Sequence, residues 1–487
     1  MSYEEVAKLA LERGFFFPAA EIYDDSLAGF WDYGPLGVSL KNKIIQLWGR
    51  EIVRRDGMLE VDGSVILPER VFAASGHLKG FADPVVECLG CGSVYRADKL
   101  IEQMTGALIP EKLSEEELDK LLQENQARCL KCGGQLSQTR RFNMMFKLAV
   151  GAKEAAPAYL RPETCQSIFL DFPRLFRIMR CKPPVAVAQV GRSFRNEISP
   201  RQGLIRLREL IQAEVEVFFN PSKARDDDKF RLVEDYELSI HTLDSKETTR
   251  VSSKQAVKKG LVANELIAYY LALLQQFYEK TGMPRDKMRF REMGSEERAF
   301  YAEQGWDFEV ETSVGWMELV ACNYRTDYDL RGHARESGRD LTVMDEEKFL
   351  PHVFELSMGI DRTLYSIMEH ALTRDKERRV LKLPPYLAPF QVAVFPLVSK
   401  NGLPEQAKKI HNMLAKNFDA FYDDSGSIGR RYRRQDEVGT PCCVTVDYQT
   451  MKDNTVTVRD RDTMIQQRTD ADGLVSYLQE KVSFPLD

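Results

Sequence analysis

An alternating run between Gly203 and Phe219 constrains the fold of this chain more than any other stretch. Apolar and polar residues take turns along it, and a period of two predicts a β-strand with two chemically different faces. Phe194-Arg195-Asn196-Glu197 precedes the run across a turn-rich segment, so the sequence predicts two strands joined by a loop. The less apolar face of the second strand would carry Arg206, Arg208, Leu210, Gln212, Glu214 and Glu216.

Two interpretations fit this face. A strand that turns its polar side to solvent gives the same alternation without any function. Alternatively, Arg195 and Glu197 lie two residues apart and share a face, so a hairpin would gather arginines and glutamates on one surface. Such a surface suits a polyphosphate together with an ammonium group, because guanidinium groups bind phosphate oxygens and carboxylates pair with amines.

A second informative element spans Pro351 to Leu372. Its first half, Pro-His-Val-Phe-Glu-Leu-Ser, predicts a strand with Glu355 and Ser357 on the same face. The sequence Gly-Ile-Asp-Arg at 359–362 then begins a predicted amphipathic helix. A cation in the first helical turn opposes the helix dipole, so Arg362 either pairs with a neighbouring acid or binds a phosphate together with the helix N-terminus.

Length and proline content divide the chain. With 487 residues it exceeds what one hydrophobic core supports, so two or more domains are expected. Three prolines between Leu381 and Phe390 indicate a linker. Beyond it, strands are predicted at 390–398, 441–447 and 454–459, and helices at 404–415 and 473–482. The sequence therefore predicts a first domain over residues 1–385 and an α/β domain over residues 386–487.

The first domain contains two segments with the character of insertions. Residues 83–141 hold two cysteine pairs and a charged helical stretch, and residues 221–291 are charged and mostly helical in pattern. The rest of the domain is rich in predicted strands. No run of about 18 apolar residues occurs, so no membrane span is expected. The acidic N-terminal residues are unlike a secretory signal, and the sequence predicts a cytoplasmic protein.

The cysteine pattern predicts a metal site. Cys88-x-x-Cys91 and Cys129-x-x-Cys132 are each followed by glycine, as in the knuckles that hold tetrahedral Zn²⁺ through four thiolates. A structural zinc ion is the favoured interpretation, and four reduced thiols are the alternative. The other five cysteines have no ligand spacing and are expected to pack in the interior.

These motifs resemble those of the class II aminoacyl-tRNA synthetases. Phe-Arg-Asn-Glu at 194–197 followed by Arg-Leu-Arg-Glu-Leu-Ile-Gln-Ala-Glu at 206–214 resembles motif 2, and the segment at 359–362 resembles motif 3. The predicted helix from Lys41 to Gly57, leading to Pro68, resembles motif 1 with its dimer-interface proline. The stretches G-F-W-D-Y-G-P-L-G, R-P-E-T, N-Y-R-T-D-Y-D-L and P-H-V-F-E-L-S are similar to the glycyl-tRNA synthetases in particular.

The resemblance implies an α+β catalytic domain with a mainly antiparallel sheet, an α/β C-terminal anticodon-binding domain and a homodimer. It also implies ATP and Mg²⁺. Arg195 would contact the α-phosphate, Glu197 the adenine amino group and Arg362 the γ-phosphate. Glu318 would stand at the Mg²⁺ and ATP, and the implied ATP-binding set is completed by Arg206, Leu210 and Arg325. The family usually has an aromatic residue where this chain has Leu210, so packing on adenine would persist without aromatic stacking.

The resemblance further implies glycine and tRNA(Gly) as substrates. Glu163, Glu214, Glu355 and Ser357, together with Arg195, match the family's glycine pocket. Attack of the glycine carboxylate on the α-phosphate would give glycyl-adenylate, which passes its glycyl group to the 3′ end of the tRNA. A pocket without spare volume would exclude alanine by overlap. The basic cluster from Arg430 to Arg434 is either a solvated face or a contact for tRNA phosphates.

Two other functions fit these residues less well. A binding protein that keeps this fold without catalysis should have lost Arg195, Glu197 or Arg362, and all three are present. A related class II enzyme that charges proline or threonine is disfavoured by the four residues that match the glycine pocket.

Overall fold

The computed structural model describes residues 1–107, 109–110, 113–152, 156–198, 200, 203–224, 227–375 and 378–484. Parts of the predicted motif 2 loop (199, 201–202) and of both predicted insertions (108, 111–112, 225–226) lie outside the described residues.

The bounds of the elements are as follows. The strands before the linker are β1 (Phe16–Pro18), β2 (Trp31–Tyr33), β3 (Leu59–Glu60), β4 (Ile66–Pro68), β5 (Ala82–Glu87), β6 (Val94–Arg96), β7 (Arg140–Asn143), β8 (Lys147–Val150), β9 (Ala156–Leu160), β10 (Val185–Phe194), β11 (Glu209–Phe219), β12 (Glu237–His241), β13 (Thr249–Ser252), β14 (Met288–Glu292), β15 (Gln304–Thr312), β16 (Gly315–Thr326), β17 (Val343–Met344), β18 (Lys348–Phe349), β19 (His352–Gly359), β20 (Leu372–Asp375) and β21 (Arg378–Leu381). The α-helices there are α1 (Tyr3–Arg13), α2 (Pro35–Trp48), α3 (Glu69–Ala74), α4 (His77–Gly80), α5 (Ala97–Thr105), α6 (Glu115–Glu124), α7 (Cys165–Ile178), α8 (Asp227–Arg231), α9 (Ser253–Lys258), α10 (Glu265–Lys280), α11 (Tyr328–Ser337) and α12 (Ile360–Ala371).

A nine-stranded sheet organises the first domain, in the order β13-β12-β14-β15-β16-β19-β11-β10-β3. Most neighbours pair antiparallel, while β10 with β3 and β12 with β14 pair parallel. The predicted α+β fold with a mainly antiparallel sheet is confirmed.

Helices cover both faces of the sheet and make it a buried layer. Helix α10 is apolar over most of its surface and packs with α2 and α12 against one face, in the largest hydrophobic cluster. Helices α7 and α11 contact each other and cover part of the other face. Because β11 is sandwiched in this way, its residues from Gln212 to Phe219 are buried on both sides.

The alternating run differs from its prediction at its start. Residues Gly203–Ile205 form a single 3-10 turn, and the strand begins only at Glu209. Gly203 has a φ of +52°, a left-handed conformation that glycine adopts readily. Arg206 and Arg208 therefore lie in the loop that leads to the strand, and they are not on the polar face of the strand.

Residues 221–291 also differ from the prediction. The segment contains α10 as expected, but it also supplies β12, β13 and β14, which extend the central sheet. Helices α8, α9 and α10 agree with the mostly helical pattern, but the three strands were not predicted, because they are short and are stabilised by pairing within the central sheet. Residues 83–141 instead form a compact unit in which β5, β6 and β7 pair and α5 and α6 enclose a small core of their own.

The C-terminal part contains the three predicted strands and two predicted helices in their predicted order, and its described residues form two further strands and two further helices that were not predicted. In chain order, the elements are β22 (Val392–Pro396), α13 (Leu403–Leu414), β23 (Ala420–Tyr422), α14 (Ile428–Val438), β24 (Cys442–Val446), α15 (Thr450–Asp453), β25 (Thr455–Asp460), β26 (Gln466–Asp470) and α16 (Leu474–Val482). The five strands form a separate mixed sheet with its own hydrophobic cluster. Within the described ranges, every helix is too short or too polar to cross a membrane.

Candidate active site

Strand pairing brings the predicted acids together. In the antiparallel pair of β11 and β19, Glu214 stands opposite Ser357 and Glu216 opposite Glu355, so all four side chains share one face. Helix α7 packs over this face, and Glu214, Glu216 and Glu355 are at most 1% exposed. For the strand proper, the interpretation of a solvent-facing polar side is wrong.

Glu163 joins this cluster from the segment just before α7. Its carboxylate accepts a hydrogen bond from the Cys165 thiol at 3.2 Å, and His77 Nε2 lies 3.4 Å from its Oε1. One carboxylate oxygen each of Glu163 and Glu355 lies within 4.8 Å of the Cys165 sulfur, and the same holds for Glu214 and Glu216. The structure thus gathers four buried carboxylates, which we call the acid cluster (Glu163, Glu214, Glu216 and Glu355).

Hydrogen bonds hold two members of the acid cluster in place. Glu214 accepts from the hydroxyls of Thr164 (2.5 Å) and Ser357 (2.6 Å). Glu355 accepts from Asn323 at 2.8 Å and from Arg325 at 2.7 Å. Charge-assisted bonds of this kind fix the direction of a carboxylate strongly.

Arg325 is the cation at the base of the cluster. It is 1% exposed, donates to both oxygens of Asp329 as well as to Glu355, and stacks on the Tyr301 ring with 3.6 Å to the ring centroid. The resemblance implied Arg325 in the ATP-binding set, whereas the structure places its guanidinium among buried acids. Its donors are directed at these carboxylates, so its observed partners give it the role of anchoring Glu355.

Burial and neighbouring charges shift the pKa values of these acids in different directions. Burial and then the charge of Glu163 raise the pKa of Glu214, and burial and then Glu355 raise the pKa of Glu216 well above its ordinary value. Burial opposes the charge of Glu163 too, but His77, Arg325 and Arg195 hold its pKa well below the usual range. An excess of buried negative charge that lacks sufficient cations favours entry of an ammonium group.

Arg195 and Glu197 lie beyond the end of β10, in the loop. The guanidinium of Arg195 is half-buried, donates to the Pro162 carbonyl at 3.2 Å and lies 5.5 Å from the centroid of the Phe81 ring. Glu197 accepts from Arg206 at 2.7 Å, and its main-chain carbonyl accepts from Arg208. Leu210, at the start of β11, is half-buried against the main hydrophobic cluster.

Arg362 lies in the first turn of α12, beside the loop that leads to β11. It donates to the Ile205 carbonyl at 2.9 Å, and its Nη1 lies 3.2 Å from the Glu318 carboxylate. Its side chain is 36% exposed and that of Glu318 is 44% exposed, so both groups are accessible to a ligand. The sequence left open an ion pair or a phosphate contact for Arg362, and the structure contains an ion pair with Glu318.

The neighbouring Asp361 is turned inward. It accepts hydrogen bonds from the Tyr33 hydroxyl at 2.5 Å and from the Ile211 amide at 2.7 Å. Burial raises its pKa to about 6. These bonds tie the start of α12 both to the segment of Tyr33 and to β11, and they thereby fix the position of Arg362.

The four predicted cysteines converge at one point. Cys88 and Cys132 sulfurs are 3.4 Å apart, those of Cys91 and Cys129 are 3.6 Å apart, and all four lie within 4.8 Å of one another. Tetrahedral Zn²⁺ with bonds of about 2.3 Å requires sulfurs about 3.8 Å apart, so the set fits this ion. The Tyr95 hydroxyl lies 3.2 Å from the Cys129 sulfur, where it can stabilise a thiolate.

Comparison with known proteins agrees with this arrangement. Residues 146–371 match the tRNA synthetase class II core domain (G, H, P, S and T), and residues 391–481 match an anticodon binding domain. The glycine–tRNA ligase of Methanothrix thermoacetophila is 40% identical to this chain, in an alignment that covers 99% of this chain and 97% of the relative. That of Pyrococcus furiosus is also 40% identical, and the alignment covers 99% of each chain. That of Methanocaldococcus jannaschii is 38% identical and covers 99% of both chains. The chain belongs to the glycine–tRNA ligase family.

This chain is shorter than these three relatives. The alignments to these three relatives extend over 564 to 573 residues, against 487 residues here, so the relatives contain residues that this chain lacks. The resemblance noted from the motifs is confirmed over the whole chain.

The structure shows which arginines of the basic cluster in the anticodon binding domain are exposed. The segment lies on α14, where Arg431 is 1% exposed and donates to the carbonyl of Pro396. Arg434 is half-buried and pairs with Asp423. Arg430 and Arg433 are exposed, so these two side chains are accessible to a ligand.

Some residues of the site were missed by sequence reasoning. Glu216 stood on the predicted polar face, so the alternation alone could have identified it. His77 and Asp329 had no local signal, because they reach the acid cluster from α4 and α11, far away in the chain.

Proposed function

We propose that this chain activates glycine with ATP and transfers it to the 3′ end of tRNA(Gly). The observation that carries the proposal is the acid cluster, in which four carboxylates are buried together and His77 and Arg325 are nearby basic groups. Glycine offers an ammonium group and no side chain, so charge and small volume are the available means of recognising it. Glu163, Glu214 and Glu355 would surround the ammonium, and Ser357 would orient Glu214.

The ATP would lie on the hairpin outside this pocket. Arg195, at the edge of the acid cluster, would bind the α-phosphate and the glycine carboxylate, and Arg362 would exchange its Glu318 partner for the γ-phosphate. Glu197 with Arg206 would hold the adenine, which packs on Leu210. The in-line attack needs positioning and charge stabilisation more than acid–base catalysis.

Two metals belong to this proposal. Glu318 is exposed on β16 beside Arg362 and would hold Mg²⁺ with the ATP, where the ion would offset phosphate charge. The four cysteines would hold one structural Zn²⁺, since the set leaves no open position for chemistry.

For assembly, we propose a first domain over residues 1–385 and an anticodon-binding domain over residues 386–487. A cytoplasmic homodimer would form through the region of α2 and Pro68. Arg430 and Arg433 are the arginines of α14 that would contact tRNA phosphates.

A charging assay tests the transfer step. Purified protein with ATP, Mg²⁺ and radiolabelled glycine should acylate tRNA(Gly) and leave tRNA(Ala) uncharged. Replacement of both exposed arginines by glutamine (Arg430→Gln with Arg433→Gln) should raise the KM for tRNA and spare glycine activation. Equal loss of both steps would mean that α14 serves the fold instead.

A further inference from the structure

Glu216 occupies an unusual environment within the acid cluster. It is 0% exposed, and among the described residues neither of its carboxylate oxygens has a hydrogen-bond partner. Buried polar groups in proteins are nearly always paired, and an unpaired buried carboxylate is strongly destabilising when it is ionised. Glu216 is therefore neutral in this state or is partnered by a group that comes from outside the chain.

Other unpartnered groups on the same face point to an external ligand. Gln189 stands opposite Glu214 in the pairing of β10 with β11 and is 1% exposed. Neither its amide oxygen nor its amide nitrogen has a partner among the described residues, and the same holds for the Gln212 side-chain oxygen. A small polar molecule in the acid cluster would satisfy such groups.

The partners of Glu355 decide where a shared proton would reside. Glu216 and Glu355 are directly opposed on β11 and β19, so their charges oppose each other. Burial raises the pKa of Glu355 to about 8, but Arg325 and Asn323 donate hydrogen bonds to its two oxygens and favour its charged form. Glu216 has no such donors, so a proton held by this pair resides on Glu216.

The groups around Glu216 come from every side of the cluster. Glu355 lies on β19, Arg325 on β16, Asp329 on α11, Glu214 on its own strand and Cys165 on α7. The one arginine among them is already paired with Asp329 and Glu355. Burial, and then repulsion by Glu355 and the other acids, raises the pKa of Glu216.

We propose that Glu216 is a positioning residue of the amino-acid pocket: neutral while the pocket is empty, it loses its proton to solvent when the substrate ammonium enters. The O–H bond of the Glu216 carboxyl group breaks, and the proton passes to water or to a buffer base. The resulting carboxylate then attracts the substrate ammonium electrostatically. The inference rests on the proposed glycine activation and extends it. Glycine binding thus becomes coupled to pH.

Calorimetry of glycine binding tests this coupling directly. At pH 7.5 the wild-type protein should release about one proton per site, measured from the difference in binding heat between phosphate and Tris buffers. Affinity for glycine should fall as the pH is lowered, approaching tenfold per pH unit while Glu216 is protonated only in the empty pocket. No proton release by the wild type would overturn the proposal, and this measurement needs no variant.

Glu216→Gln identifies the source of the proton. The amide has nearly the same volume as the protonated acid, so the empty pocket should be preserved. The variant should bind glycine without proton release, with a flat pH profile, and more weakly than the wild type at alkaline pH. Unchanged proton release would assign the proton to Glu355 or another group and overturn the proposal.

A matched control is Glu369→Gln. Glu369 is also buried, at 6% exposure, but accepts from Tyr365 and Ser313 outside the acid cluster, so this variant should retain the proton release. Glycine-dependent pyrophosphate exchange by the wild type is measured in parallel. Its absence would refute the proposed function, whereas its presence without proton release would refute only the role of Glu216.

Discussion

Glu355 illustrates how the pairing register of two strands determines the chemistry of a side chain. Its place on β19 puts it opposite Glu216 and within reach of Arg325, which approaches from β16. A shift by one residue would move all these acids to the other face, where the main hydrophobic cluster lies. The proposed recognition of an ammonium thus depends on the pairing register of β11 with β19.

Glu355→Gln should weaken glycine much more than ATP. The carboxylate provides a charge-assisted interaction with the ammonium, roughly twice as strong as a neutral one, and ATP has no ammonium to lose. We expect a raised KM for glycine, an ATP KM close to that of the wild type, and no gain of alanine activation, because the amide keeps the pocket volume. Equal damage to both substrates would instead indicate that Glu355 serves mainly to neutralise Arg325.

Arg362→Ala should depress pyrophosphate exchange on the order of a hundredfold or more. The arginine is partly exposed, and in the proposed site it would supply charge where the pyrophosphate leaves. Arg374→Ala is the matched control, since that arginine pairs with Glu5 on the surface and should be dispensable. Near-normal exchange by the Arg362 variant would contradict its placement at the γ-phosphate.

At the scale of elements, local signals predicted some parts well and others poorly. The strand and helix at 351–372 were predicted because the change from a period of two to a helical period is visible in the sequence. The strands β12 and β13 were missed because each has five residues or fewer and is stabilised by pairing within a sheet assembled from distant segments. The loop at 203–208 was taken for strand because its turn depends on contacts such as that of Ile205 with Arg362.

The cysteine knuckles should bind one Zn²⁺ per chain. Elemental analysis of protein purified without added zinc should find it, and Cys129→Ser should lose it. Cys181→Ser is the control, because Cys181 lies in a different hydrophobic cluster and should leave the metal content unchanged. Metal-free protein with four titratable thiols at these positions would contradict the assignment.

Helix α14 is attached to the rest of the molecule by buried ion pairs. Asp436 is 1% exposed and holds Arg459 at 2.8 Å and Arg378 at 3.1 Å. Asp436→Asn should cost about 3–5 kcal/mol, because it leaves buried arginines without a counter-charge. Thermal unfolding should reveal this loss, while Asp462→Asn, which breaks a more exposed pair with Arg461, should change stability by at most about 1 kcal/mol. Similar small effects of both variants would show that α14 is held mainly by apolar packing.

On the scale of the whole molecule, the fold and the family were predictable because several distant motifs had to agree. What could not be predicted was the depth of the acid cluster, since its enclosure comes from α7 and α11 folding over the sheet. The C-terminal sheet has a hydrophobic cluster of its own. Helix α14 packs on this sheet through Ile428 and Tyr432, and Val438 at its end joins the main cluster of the first domain.

We propose that the acid cluster selects glycine. This proposal is tested most directly by ATP–pyrophosphate exchange with each of the twenty amino acids in turn. We expect strong exchange with glycine and background exchange with alanine, serine, proline and threonine. Efficient exchange with any of these four, or none with glycine, would contradict it.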